Sequence, residues 1–118
     1  MADGINLSDK LSQFSDHFAP RTVTRFNGHD VMVVKLQGPF IWHKHDETDD
    51  FFLVLKGTLD IELRDRTVTL NPGELFVVPR ATEHRPCARS GEVKLLLIDP
   101  KDMPNTRDPA TATQAVEI

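Results

Sequence analysis

The feature that most constrains this chain is a succession of short apolar runs separated by turn-forming residues. The clearest run, residues 59–63, alternates apolar and charged residues, as in a strand with one buried and one solvent-facing side. About nine such runs at close spacing favour an all-β barrel or sandwich over repeated βαβ units. The predicted strands are 22–26, 31–36, 40–45, 51–55, 59–63, 67–70, 75–78, 84–88 and 93–99.

Local turn chemistry supports this division into strands. Asn27 and Gly28 separate the first two runs, and this dipeptide best tolerates the positive φ angles of a tight hairpin. Gly38 and Pro39 are expected to end the second strand, because a Gly–Pro pair interrupts regular pairing. The sequence therefore predicts antiparallel hairpins rather than long crossover connections.

The first twenty residues contain the one predicted helix. Ser8 and Asp9 can cap it, and Pro20 closes the segment. Three apolar residues fall on one helical face: Leu7, Leu11 and Phe14. This gives a helical segment at 1–20, a β-barrel at 21–100 and an extended C-terminal tail at 101–118.

Length and composition limit the functional classes. The chain has 118 residues, 39% of them hydrophobic and 27% charged, which suits one globular domain. A net charge of -4 without a basic run gives nucleic-acid binding little support. No apolar run is long enough to span a membrane, and the N-terminus shows no apolar signal core. With a single cysteine, Cys87, a reduced cytoplasmic location is the expectation.

Histidines provide the first indication of chemistry. His43 and His45 are two residues apart in a predicted strand, so both imidazoles would project from the same side. Their backbones would be roughly 7 Å apart, close enough for both rings to reach one metal ion. Asp50 begins the next strand and can extend a carboxylate over the same pocket. A His-x-His pair alone is weak evidence, because two histidines on a strand are more often exposed or hydrogen bonded.

The spacing around these residues resembles the two sequence motifs of the cupin superfamily. The first motif is matched by Gly38, His43, His45, Asp50 and Gly57, and the second by Gly73, Pro79, Ala81, His84 and Ala88. The resemblance covers residues 36–99 and is strongest to small single-domain bacterial cupins, called mannose-6-phosphate isomerase-like. It implies a double-stranded β-helix, an RmlC-like jelly-roll barrel, with a short N-terminal helix added. It also implies a metal site formed by His43, His45, His84 and Asp50.

Three positions depart from the family pattern. Asp50 stands where the family usually has Glu, so its shorter carboxylate can ligate directly, act through water, or leave the ion on three histidines. Ala81 replaces a turn glycine, which suggests a local backbone without positive φ. Ala88 stands at a place that is commonly Asn.

Strand parity also predicts the walls of the pocket. Ile41 would share the histidine face, whereas Phe40 and Trp42 would point away from it. Phe52 and Val54 would share the face of Asp50. His17 and His29 are expected to be surface histidines, and Cys87 is expected to be a small buried residue rather than a ligand or nucleophile. Glu83 is expected to be solvated, with a supporting role beside His84 as the alternative.

The resemblance implies one divalent transition metal ion, which would be iron, manganese, nickel or zinc. The leading hypothesis is a metal-dependent enzyme, of isomerase or dioxygenase type, that acts on a small carbonyl- or carboxylate-bearing molecule. The alternatives are a non-catalytic module that binds or senses a small molecule, and a structural barrel. The chain has no tyrosine, which argues against cupin sugar epimerases and thiol dioxygenases. Runs that are apolar on both faces, 51–55 and 93–98, predict a homodimer.

Overall fold

The computed structural model describes residues 3–101 and 115–118. This part of the chain contains one short helix and eight strands. The elements are α1 (Leu7–Leu11), β1 (Arg21–Phe26), β2 (His29–Pro39), β3 (Asp50–Lys56), β4 (Leu59–Leu63), β5 (Thr67–Leu70), β6 (Leu75–Val78), β7 (His84–Pro100) and β8 (Val116–Glu117). The predicted all-β class with a short N-terminal helix is confirmed. No helix in the described ranges is long and apolar enough to cross a membrane.

The long strand β7 holds the fold together. Its first part pairs with β4, and its second part pairs with β2 on one edge and β3 on the other. The strand order β5-β4-β7-β2-β1-β8, with β3 pairing to β6 and β7, gives the jelly-roll arrangement of a cupin-type barrel. The interior is apolar, and its most buried side chains are 0% exposed: Val54, Leu59, Ile61 and Leu95.

The hairpin between β1 and β2 forms where the sequence predicts it. Phe26 pairs with His29, and the two turn residues Asn27 and Gly28 have φ angles of 49° and 77°. Two positive φ angles in succession are the mark of a type I′ turn, whose twist matches that of the flanking strands. Local chemistry alone is sufficient to specify this hairpin.

The predicted strand at 40–45 is wrong. β2 continues through Gly38 to Pro39 after a register shift, and residues 40–45 carry only an isolated bridge between His43 and His84. Pro86 on the facing strand explains the interruption. Its carbonyl accepts a hydrogen bond from the Phe40 N–H at 2.9 Å, but proline has no N–H to return one. Beyond this point, the two predicted strands at 84–88 and 93–99 are one continuous strand, β7.

The helix is shorter than predicted and has a different cap. Asn6 is the N-cap, and its side chain accepts a hydrogen bond from the Asp9 N–H at 3.0 Å, so Ser8 and Asp9 lie inside the first turn. The helix ends at Leu11, before Phe14. Most of the predicted C-terminal tail, residues 102–114, lies outside the described residues. The last described residues form β8, which pairs in parallel with β1.

Candidate metal centre

Four side chains that can bind a metal converge at one end of the barrel. His43 and His45 lie in the loop between β2 and β3, Asp50 begins β3, and His84 begins β7. One donor atom from each residue lies within 4.8 Å of all the others. The Asp50 Oδ2 atom is 2.8 Å from His84 Nε2, 3.3 Å from His45 Nε2 and 3.9 Å from His43 Nε2. The structure therefore brings together the four residues that the sequence predicted.

Backbone hydrogen bonds hold the three histidines in place. The His43 N–H donates to the His84 carbonyl at 3.0 Å, and the His84 N–H donates to the His43 carbonyl at 2.9 Å. The His45 carbonyl accepts a hydrogen bond from the Ala81 N–H at 2.7 Å. Ala81 makes this contact with a φ of 64°, so the prediction that its backbone avoids positive φ is wrong. The turn keeps its left-handed geometry, and alanine carries the strain.

Two of the imidazoles are oriented by carbonyl groups two residues before them. His43 Nδ1 lies 2.9 Å from the Ile41 carbonyl oxygen, and His84 Nδ1 lies 2.8 Å from the Thr82 carbonyl oxygen. Each ring therefore carries a hydrogen on Nδ1 and presents Nε2 towards Asp50. Metal-binding histidines in proteins are commonly oriented by this arrangement.

A cavity of about 60 Å³ is lined by three of the four donor residues, His43, His45 and Asp50. Most of the remaining wall is apolar. Aromatic rings contribute a large part of that wall, from Phe18, Phe40 and Phe52. The donors therefore lie beside a small apolar pocket, the usual surroundings of a binding site for a small molecule.

Strand parity failed to predict part of this wall. Phe40 lines the cavity and its ring centroid lies 5.2 Å from that of His43, whereas Ile41 is 37% exposed. Alternation does not apply here, because residues 40–45 are not a regular strand. Val54 belongs to the barrel interior rather than to the cavity wall. Trp42 points away from the cavity, as predicted. Its ring stacks under the guanidinium of Arg64, whose Cζ atom lies 3.8 Å from the ring centroid.

Comparison with known proteins identifies the family. The Cupin domain model matches residues 30–99, which include all four donors. The chain belongs to the cupin family. An uncharacterized protein of Bacillus subtilis, YdbB, is 30% identical over 81 residues, which are 68% of this chain and 72% of the relative.

Two solved structures support the same assignment. A cupin-2 domain containing protein from Shewanella frigidimarina is 42% identical, with a TM-score of 0.80 over 82% of this cupin and 94% of that chain. A protein from Neisseria meningitidis is 29% identical, with a TM-score of 0.75 over 84% of this cupin and 100% of that chain. The resemblance seen in the two motifs is therefore confirmed at the level of the fold and the family.

The electrostatics of the centre favour neutral His43 and ionised Asp50. Burial lowers the pKa of His43 to about 4, against a smaller opposing contribution from the Ile41 carbonyl. Burial alone would raise the pKa of Asp50, but hydrogen bonds from His45 and His84 outweigh it and hold the value at about 2. Metal binding requires neutral imidazole and ionised carboxylate, which are the forms that this cupin favours for His43 and Asp50 at neutral pH.

His84 indicates that the donor set suits a cation. Its ring is 1% exposed and faces an acceptor at each nitrogen, the Thr82 carbonyl at Nδ1 and the Asp50 carboxylate at Nε2. A neutral imidazole has only one N–H and cannot donate to both. A metal ion between His84 Nε2 and Asp50 would satisfy both groups with the ring neutral. The residues of this cupin therefore fit a metal ion on chemical grounds.

Asp99 is a cavity residue that the sequence analysis missed. It lies on β7, two and four residues after Leu97 and Leu95, and all three line the cavity. Burial raises the pKa of Asp99 to about 8; repulsion by Asp50 adds to this effect, and attraction by His45 opposes it. The alternation Leu95, Leu97, Asp99 could have placed this carboxyl on the inner face, but nothing in the sequence showed which face of β7 lines the pocket.

The remaining polar candidates lie away from the centre, as the sequence predicted. His17 contacts Glu92 at 2.7 Å near the surface, and His29 is exposed. Glu83 pairs with Arg64 at 3.2 Å, with about half of its side chain exposed. Cys87 is a free, buried cysteine and does not line the cavity.

Proposed function

We propose that this cupin binds one divalent transition metal ion and uses it to transform a small carbonyl- or carboxylate-bearing molecule. The observation that carries the proposal is the convergence of four donor atoms, from His43, His45, Asp50 and His84, beside an apolar cavity that the first three of these residues line. Three nitrogen donors and one oxygen donor suit iron, manganese, nickel or zinc in the divalent state. Such an ion polarises carbonyl groups or, if it is iron, activates dioxygen, which leaves isomerase and dioxygenase chemistry as the two reaction types.

The chain's own residues would have three tasks in this reaction. Neutral His43, His45 and His84 with ionised Asp50 would leave a net positive charge around a divalent ion, which attracts an anionic substrate. Phe18, Phe40 and Phe52 would exclude water from the bound molecule, because their rings form the wall next to the donors. The carbonyl groups of Ile41 and Thr82 would keep two imidazoles aligned.

Metal analysis tests the proposal. We expect wild-type protein, purified without a nickel column, to hold one ion per chain by mass spectrometry, and the variant His43→Ala/His45→Ala to hold none. The matched control His17→Ala/His29→Ala removes two histidines outside the centre and should keep the ion. Unchanged metal content in the first variant would contradict the proposal.

A second measurement separates an enzyme from a binding module. Metal-loaded and metal-depleted protein should be incubated with a panel of keto acids and sugars, and product formation followed by NMR. We expect turnover only in the loaded protein. Saturable binding of a panel member to the loaded protein without turnover would support the alternative, a module that binds or senses a small molecule.

We also propose that the protein assembles as a homodimer. Two cross-strand pairs between β3 and β6, Phe51 with Val77 and Leu53 with Leu75, form an apolar patch on the outer face of the sheet. Leu75 is 55% exposed and Val77 is 40% exposed. Light scattering should give about twice the 13.3 kDa chain mass, and a monomer at micromolar concentration would contradict the idea. A cytoplasmic location stays a prediction, with which the free Cys87 agrees.

A further inference from the structure

Within the described ranges of the chain, Asp99 is the one polar side chain of the cavity wall that does not belong to the four-donor centre. Among the described residues, the polar side chains that line the cavity are His43, His45, Asp50 and Asp99, and the others are apolar. A bound molecule would therefore place one polar end at the four donors. For any second polar group, the Asp99 carboxyl would be the only further side-chain partner that the described part of the chain offers inside the pocket.

The fold positions Asp99 firmly and leaves its carboxyl available. Asp99 pairs across the sheet with Asp30, whose carboxylate accepts a hydrogen bond from Arg25 Nε at 2.9 Å. No described residue forms a hydrogen bond or an ion pair with the Asp99 carboxyl itself. Asp99 is half-buried, and a carboxyl partly withdrawn from water without a partner is unfavourable; such groups in a pocket commonly have a role in binding.

We propose that Asp99 determines specificity in this cupin by binding a hydroxyl group of a small carbonyl- or carboxylate-bearing molecule, whose other end lies at the four donors. This inference rests on the proposed function and narrows its substrate class to hydroxylated molecules. The cavity volume of about 60 Å³ restricts the bound molecule to a small one.

A hydroxyl group fits this position better than an amine. A hydroxyl donates to a carboxylate and accepts from a carboxylic acid, so it can pair with Asp99 in either form. An ammonium group can only donate, and it would bring a second positive charge next to the ion. Desolvating a neutral hydroxyl in an apolar pocket also costs less than desolvating a charged amine.

Matched pairs of keto acids test this proposal. The probes are pyruvate with 3-hydroxypyruvate, and 2-oxobutanoate with 4-hydroxy-2-oxobutanoate, titrated calorimetrically into Zn²⁺-loaded protein. Zinc is redox-inert and does not activate dioxygen. We expect wild type to bind at least one hydroxylated member about 10- to 100-fold more tightly than its partner, as for a hydrogen bond to a charged or acidic group.

Variants of Asp99 distinguish its role from that of the ion. Asp99→Leu should abolish the preference and keep Zn²⁺, whereas Asp99→Asn, which can still hydrogen bond, should keep part of it. Asp65→Asn removes a carboxylate that is 74% exposed in a turn and should change nothing. If Asp99→Leu does not fold, the partial loss of the preference in Asp99→Asn still tests whether Asp99 binds the hydroxyl group.

Three results would overturn the inference. A preference that survives in Asp99→Leu would place the hydroxyl on the ion instead, and this outcome would leave the proposed metal function intact. Equal binding of both members of each pair by zinc-loaded wild type, or binding of neither, would also refute a role in specificity. Failure of wild type to take up any metal would overturn the proposed function itself, and the Asp99 inference with it.

Discussion

The barrel interior and the four-donor centre are both buried, yet burial affects their stability in opposite directions. In the interior, Val54, Leu59 and Ile61 are 0% exposed and bury only apolar surface, which favours folding directly. At the centre, His45, Asp50 and His84 are buried to 8%, 7% and 1% exposure, and burial of such groups is unfavourable unless they are paired. The apolar interior therefore stabilises the fold, whereas burial of the polar side chains of the centre lowers its stability.

The two regions are linked by the same strands. Asp50 and Val54 lie on β3 with the same parity, and His84 and Leu95 both belong to β7. The apolar part of each strand fixes the polar part in position. The fold should therefore persist whether or not a metal ion is bound at the centre, whereas damage to the interior should affect both regions.

The largest effect is expected from a cavity in the interior. Ile61→Ala should lower the free energy of unfolding by about 2–5 kcal/mol, because Ile61 is fully buried and does not line the existing cavity. Ile5→Ala, the same change at a residue that is 41% exposed, is the matched control and should cost below about 1 kcal/mol. Urea unfolding measures both values, and equal losses in the two variants would refute the assignment of the interior.

Titration of His43 and Asp99 should change the free energy of unfolding by a smaller amount. The two groups should change it in opposite directions as the pH rises. The lowered pKa of His43 means that the unfolded chain binds more protons between about pH 4 and 6.5, so stability rises with pH there. The raised pKa of Asp99 means that the folded chain keeps its proton from pH 3.8 to about 8, so stability falls as pH rises. The two contributions oppose each other below pH 6.5, and above it only that of Asp99 remains.

Metal-free protein should therefore lose stability between pH 6.5 and 8, by on the order of 1 kcal/mol per pH unit. Urea unfolding in the presence of EDTA measures this slope. Asp99→Asn removes the titrating group, so its stability should stay level over the same range. A slope of equal size in that variant would show that Asp99 is not its source.

The smallest effect concerns the turn that holds His45. Ala81→Gly should raise the free energy of unfolding by about 1 kcal/mol, since glycine adopts the observed φ of 64° without the strain that alanine bears. Metal content should stay at one ion per chain. A decrease in stability would show that alanine is preferred at this position, and thermal or urea unfolding would reveal it.

Local patterns made much of the fold predictable from the sequence. The alternation at 59–63 gives β4 with apolar residues inside, and Asn27 with Gly28 gives the hairpin that is observed. Gly57 of the first motif has a φ of 87°, and a Cβ there would lie 2.8 Å from the Glu92 carbonyl oxygen. The alternation and the hairpin turn depend on a few neighbouring residues, so the sequence shows them directly, whereas the approach of Gly57 to Glu92 is a long-range contact that only the motif records.

Long-range contacts explain what the sequence did not predict. Residues 40–45 lose regular pairing because Pro86, more than 40 residues later, lacks an N–H. Phe40 therefore lines the cavity in place of Ile41, and Asp99 enters the same cavity from the far end of β7. The four donors were predicted because the cupin motifs record this long-range geometry in their spacing, whereas no motif includes Asp99.

Anomalous diffraction from crystals of the metal-loaded protein would locate the ion. We expect one strong peak per chain, about 2.0–2.2 Å from the Nε2 atoms of His43, His45 and His84 and from an oxygen of Asp50. A peak bonded to the three histidines but not to Asp50 would restrict the centre to three ligands. No peak at this end of the barrel, or one only at exposed residues such as His29, would contradict the claim that the four convergent side chains form a metal centre.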